Sequence, residues 1–217
     1  MPKVSFLVDG FNLYHSVSSA SYSLGLNGKG TKWLDIHAWL RSYLPRLGRG
    51  YNLTEIIYFS AYAYHMKSSD PGTVARHRLF TQALKATGIK TEMHSFQKKK
   101  YYFQGRPITR REEKETDVAM GVRLIELFMK KRCDFVFMVT GDTDLIPAIR
   151  TAHRLFPKKP VSCVFPFARV SPRMRKIVYE SYGVETIKAK PKHYQKYQFD
   201  DPLILPDGTE LNKPPTW

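Results

Sequence analysis

Cysteine is nearly absent from this sequence: 217 residues contain two, Cys133 and Cys163, each inside an apolar run (CDFVFMV and VSCVFPF). With no CxxC pair and no histidine-rich neighbour, they offer neither a zinc site nor a disulfide framework. Both read as small buried hydrophobes in a reducing compartment. Long apolar runs are missing as well. No stretch approaches the roughly 20 residues that a membrane-spanning helix needs, and the first run, KVSFLV at 3–8, is too short for a secretory signal. The expectation is a soluble, cytoplasmic protein with no membrane partner. Repeats and low-complexity tracts are also absent. Acidic residues are scarce, with 19 Asp and Glu against 35 Lys and Arg, a formal charge of +16. Such an excess favours a polyanionic partner through counterion release and steering. A basic protein with no nucleic-acid role would show the same balance, so charge alone does not decide.

What is present is enough for a folded domain. Hydrophobic residues make up 42% and aromatics 13%, which excludes a disordered chain. A chain of this length buries roughly 70% of the surface its unfolded form exposes. Strands are expected at KVSFLV (3–8), LTEIIYFSAYAY (53–64), IKTEMHSF (89–96), DFVFMVT (134–140), PVSCVFPF (160–167) and VETI (184–187). Helical spacing predicts helices at 34–44, at 73–88 (closed by Gly88), and at 113–131, 144–156 and 171–183. Short buried strands alternating with helices imply a three-layer α/β/α fold with a mainly parallel, Rossmann-like sheet. The Ser/Gly-rich stretch 18–32 reads as a loop. Residues 188–217, with five Pro and little periodicity, read as an extended C-terminal arm on a single domain spanning 1–187.

In open parallel sheets, sites form beyond the carboxyl ends of the strands. Three segments put carboxylates there. VDGFN sets Asp9 directly after the first strand, with Gly10 freeing a turn and Asn12 close by. TGDTD sets Asp142 and Asp144 after the strand at 134–140. Asp117 shares a helical face with Met120, Gly121, Leu124 and Phe128, and a carboxylate on a core-facing stripe is uncommon. Each has a structural alternative. Asp9 suits a turn, Asp142 or Asp144 suits an N-cap ahead of Pro147, and Asp117 suits an N-cap unless Thr109 and Glu112 form an earlier capping box. Jointly these alternatives weaken, because four converging carboxylates repel without a cation. Hard cations take oxygen ligands of this kind.

VDGFNLYHS, KETDVAMGV and FVFMVTGDTDLIPAI, in this order, resemble the NYN domain, a branch of the PIN-like ribonucleases. The resemblance runs from about residue 3 to residue 187. It implies a Rossmann-like (PIN-like) sheet, an acidic site binding Mg²⁺ or Mn²⁺, and RNA as the partner. It puts metal-site aspartates at Asp9, Asp117, Asp142 and Asp144, with Asn12 beside the first and Lys114 as the lysine before the helix aspartate. One departure stands out: relatives often carry a further acidic residue about where this chain has Arg123.

Two basic segments offer routes for RNA, single-stranded or structured. In 97–111, Lys98, Lys99, Lys100, Arg110 and Arg111 are interleaved with Tyr101 and Tyr102, a mix of phosphate-binding cations and stacking rings. A solvated hairpin is the alternative there. In ARVSPRMRKIV, Arg169 and Arg173 crowd a helix start at Ser171–Pro172, where the macrodipole disfavours cations. The seven histidines are scattered and read as structural. The leading expectation is a metal-dependent ribonuclease. A non-catalytic RNA-binding module is one alternative. A small-molecule phosphohydrolase is another, disfavoured because Gly10 and Phe11 follow Asp9 where a DxD would be required. A homo-oligomer is left open.

Overall fold

The computed structural model describes residues 1–47, 50–103, 106–113 and 115–217, side chains at 67, 68, 97–103 and 106–113 excepted. The run at 3–8 becomes β1 (Lys3–Asp9), buried from Val4 onward. Burial on both faces of a strand requires helices above and below it. The chain then continues through α1 (Gly10–Ser23), α2 (Ile36–Arg41), β2 (Asn52–Ala61), α3 (Thr73–Ala86) and β3 (Lys90–His94). The hairpin strands β4 (Phe96–Phe103) and β5 (Arg106–Glu113) precede α4 (Thr116–Met129), β6 (Phe135–Val139), α5 (Ile146–Leu155), β7 (Val161–Phe165), α6 (Pro172–Tyr182) and β8 (Ile187–Lys188). The chain ends with α7 (Pro191–Lys196), β9 (Leu203–Ile204) and β10 (Glu210–Leu211).

Six strands form one sheet in the order β3-β2-β1-β6-β7-β8, every neighbouring pair parallel. This is the three-layer α/β/α arrangement expected from the alternation of elements. On one face Val4, Phe6 and Val8 pack with Leu13 and Val17 of α1, Phe80 and Leu84 of α3 and Tyr194 of α7. On the other, Leu7 packs with Met120 and Leu124 of α4, Ile149 of α5 and Val178 of α6. The strand order reverses between β1 and β6, which opens a crevice at their carboxyl ends. Among the described residues no helix is long and apolar enough to cross a membrane.

Three segments differ from the sequence expectation. The expected loop 18–32 is helical as far as Ser23, because α1 begins immediately after β1. Five serines and three aromatic rings make α1 a weak helix former. Its stability comes from Asp9, which caps it by accepting from the Asn12 N–H at 2.9 Å, and from buried Leu13, Val17 and Ala20. The helix expected from 113 begins at Thr116, so no capping box forms at Thr109 and Glu112. Thr109 instead pairs with Lys100 across the hairpin. The arm at 188–217 carries α7 and the antiparallel β9–β10 pair.

That arm is tied to the body by a fully buried Tyr194. Its hydroxyl lies 2.9 Å from the Ser16 hydroxyl and accepts from the Phe167 N–H at 3.1 Å. Burial, the larger cause, pushes its ionisation well above the usual tyrosine range. Tyr194→Phe removes the acceptor of a backbone N–H, a loss of about 1–3 kcal/mol. The melting temperature is expected to fall by roughly 3–10 °C. An unchanged melting curve would mean that water replaces the hydroxyl.

Candidate active site

Parallel pairing of β1 with β6 sets Val8 beside Val139, so the next residues, Asp9 and Thr140, end their strands side by side. Gly10 then turns the chain where a Cβ would stand 2.5 Å from the Tyr58 ring and 2.7 Å from the Phe59 carbonyl oxygen. The Thr140 hydroxyl donates to Asp9 Oδ2 at 2.9 Å and accepts from the Asp142 N–H at 3.1 Å. Asn12 Oδ1 accepts from the Gly141 N–H at 3.2 Å. Gly141 admits no side chain, since a Cβ would fall 1.8 Å from the Arg169 carbonyl oxygen. Asp142 caps the short 3-10 turn Thr143–Leu145, accepting from the Asp144 N–H at 2.9 Å. Asp9, Asn12, Gly141 and Asp142 are therefore one connected unit. Thr140, fully buried at its centre, had no signal in the sequence beyond its place between a strand and a glycine.

Asp117 lies in the first turn of α4, after Glu115 at φ 83°, a left-handed conformation costly for a side-chain-bearing residue. Its pKa is pushed up to about 6, first by burial and then by the charges of Asp142, Asp9 and Asp144. The four aspartates thus share one electrostatic field, with Asp9 buried, Asp117 and Asp142 half-buried and Asp144 exposed. Among the described residues, however, no three His, Cys, Asp or Glu side chains gather closely enough to hold a metal ion. The cluster is a loose one, because Asp9 and Asp142 are turned toward the N–H and hydroxyl groups they accept from. Arg123, six residues beyond Asp117, pairs with Glu92 of β3 and with Glu126.

Of the other sequence candidates, Arg169 meets this unit through its backbone carbonyl, against Gly141. Lys114 is outside the described residues, as are the side chains of Lys98, Lys99, Lys100, Tyr101, Tyr102, Arg110 and Arg111. Their backbone pairing sets Lys98 opposite Arg111 and Lys99 opposite Arg110 along the hairpin. Arg169 and Arg173 are exposed, and Ser171 caps α6 by accepting from the Met174 N–H at 3.2 Å. The neighbouring Ala168 adopts φ 60°, a strained conformation that helps bring the Arg169 carbonyl against Gly141.

The family model for the NYN domain matches residues 3–156. No curated protein matches the sequence. Among solved structures, the S. aureus MnaA–UDP structure is similar at 13% identity and a TM-score of 0.35, over 91% of this chain and 41% of that one. Acinetobacter baumannii MurG is similar at 12% identity and a TM-score of 0.36, over 93% of this chain and 51% of that one. The chain spans only about half or less of the length of these proteins, and likenesses this slight carry no functional argument.

Asp117 also gives a stability test. A carboxyl with a raised pKa stabilises the fold while protonated, and that contribution is lost as pH rises from 3.8 through about 6. Asp117→Asn is therefore expected to stabilise the metal-free protein at pH 7–8 by about 1 kcal/mol after allowance for solvent screening. The gain amounts to roughly 2–4 °C and vanishes by about pH 4. A melting-temperature difference that is flat across this range would contradict the electrostatic coupling.

Proposed function

The chain belongs to the NYN domain family, and from that premise we propose that it is a metal-dependent ribonuclease, hydrolysing phosphodiester bonds of single-stranded RNA at the aspartate cluster. The observation that carries the reading is the load on Asp117, whose ionisation is opposed first by burial and then by three other carboxylates at the sheet's reversal point, in a protein of charge +16. The donors Asp9, Asp117, Asp142 and Asp144 are all hard oxygens and fit Mg²⁺ or Mn²⁺. Mg²⁺ keeps several waters and needs only one or two carboxylates, which suits a loose cluster. Such an ion supplies Lewis acidity toward the phosphodiester and its attacking water.

The protein's own groups set the geometry. Both oxygens of Asp9 are held, by the Asn12 N–H and the Thr140 hydroxyl, so its orientation is fixed before substrate arrives. Asp142 is held through one oxygen, which accepts from the Asp144 N–H, and the Asn12 amide pins the backbone at Gly141. In this reading residues 1–187 form the nuclease unit, and the arm at 188–217 buttresses it. Lys114, Arg169, Arg173 and the hairpin residues Lys98, Lys99, Lys100, Arg110 and Arg111 engage phosphates, while Tyr101 and Tyr102 offer stacking rings. The second reading is a non-catalytic RNA-binding module. It rests on Arg123, committed to Glu92 and Glu126 about where relatives carry an acid.

Labelled single-stranded RNA incubated with Mn²⁺, Mg²⁺ or EDTA separates the two. Asp9→Asn and Asp142→Asn keep the capping acceptors but lose the charge, so each is expected to stay folded and to lose roughly 100-fold or more in rate. Full activity in either variant, or EDTA-resistant cleavage by the parent, would refute the assignment.

The hairpin is tested through salt. Replacing Lys98, Lys99 and Lys100 together with Ala should weaken binding and shallow the log–log salt slope by about 0.7 for each phosphate no longer neutralised. Cleavage at saturating RNA should survive. An unaltered salt titration would reduce this segment to a solvated ribbon.

A further inference from the structure

The helix α1 buries Leu13, Ser16, Val17 and Ala20, which leaves 11, 14, 15, 18 and 22 on its outer stripe. Such a stripe ordinarily carries charged or small polar residues. Here the first two turns carry rings instead, with Phe11 48% and Tyr14 49% exposed and His15 between them. Phe11 meets His15 edge-on at 4.5 Å between centroids, and Tyr14 meets it at 5.7 Å. Two cations lie near the group. The Lys32 ammonium lies 5.9 Å from the centre of the Tyr14 ring. Arg169 is close enough to His15 to lower its pKa, second to the effect of burial. Phe11 is two residues beyond Asp9 and next to Asn12, so the rings begin within one helical turn, about 5 Å of axis, from the aspartate cluster.

Singly exposed hydrophobic residues are ordinary, but adjacent rings bordered by cations at the edge of a site are not. Unpaired nucleic acid asks for aromatic faces on which bases stack and nearby cations for phosphates. We propose that Phe11, Tyr14 and His15 form a stacking platform for unpaired nucleobases, with Lys32 and Arg169 taking the flanking phosphates. The platform rests on the ribonuclease reading and specifies how the strand reaches the aspartates, over the α1 side of the crevice. It selects single strands, because bases held in a duplex cannot splay onto the rings.

Binding in EDTA, where no cleavage occurs, tests it independently of catalysis. The probe is a short fluorescein-labelled oligoadenylate carrying 2-aminopurine, compared with a duplex of the same sequence. Phe11→Ala with Tyr14→Ala is expected to weaken single-strand binding roughly 10-fold or more, to abolish 2-aminopurine quenching and to leave the salt slope unchanged. Phe11→Leu with Tyr14→Leu, which keeps apolar bulk but no ring face, should behave alike, whereas Tyr14→Phe should bind as the parent does. Lys32→Ala and Arg169→Ala should each shallow the slope by about 0.7 with quenching retained. A parent that binds and cleaves RNA while both double variants bind and quench equally well would overturn the platform and leave the nuclease reading standing. A parent that binds no RNA would overturn both.

Discussion

The hydrogen bond from the Thr140 hydroxyl to the Asp9 carboxylate joins the ends of β1 and β6 at the point where the strand order reverses, and both residues are buried. A buried carboxylate is tolerable only when its oxygens find donors. Asp9 finds one in the neighbouring strand and one in its own helix start. The first depends on register: Val8 beside Val139 brings Asp9 beside Thr140. A slip of one residue would exchange the two faces of β1 and break this pairing as well. The apolar packing that fixes the sheet therefore also fixes the site.

The carboxylates are not equally supported. Asp9 caps α1 and Asp142 caps the turn that follows β6, so each is held by backbone N–H groups. Asp117 has the favourable end of a helix dipole, worth about 0.3–1 kcal/mol, but its ionisation is still opposed. Burial and three neighbouring charges outweigh the dipole, as the direction of its shift requires. The local conflict is thus concentrated on one residue on the far layer of the sheet, while the two aspartates at the strand ends are fixed structurally. Conflict of this kind between a residue and its surroundings is expected at functional positions.

Much of this is legible in the sequence, and the rest is hidden for identifiable reasons. The strands β1, β2, β6 and β7 are buried over most of their length, so they read as near-continuous apolar runs. The Asp-Gly and Gly-Asp steps at their ends are readable because close backbone approach demands glycine at 10 and 141. Capping, one of the competing explanations of Asp9 and Asp142 in the sequence, is observed for both, and the proposed site role is compatible with it on the same side chains. The helix α1 is hidden because its serines and rings argue against helix formation, and capping with tertiary packing overrides them. Without α1 as a helix, the shared outer stripe of Phe11, Tyr14 and His15 has no sequence signature. Thr109 and Glu112 imitate a capping box, and only the pairing of β5 with β4 excludes it.

Support for the crevice also comes from its far side. The Tyr194 hydroxyl touches Ser16, one turn beyond Asn12 on α1, and the Phe167 N–H, two residues before Arg169. Those two segments meet again at the site, where Asn12 accepts from the Gly141 N–H and the Arg169 carbonyl closes over Gly141. Gly141 is thus held between α1 and the loop after β7, and one buried hydroxyl from the arm fixes the distance between them. A proline-rich segment with little periodicity gives no hint of this in sequence, because the contact is made by a side chain about 180 residues from Asp9. Helices and strands supply the aspartates, but α1 and the loop after β7, which meet at Gly141, are also joined from outside the sheet.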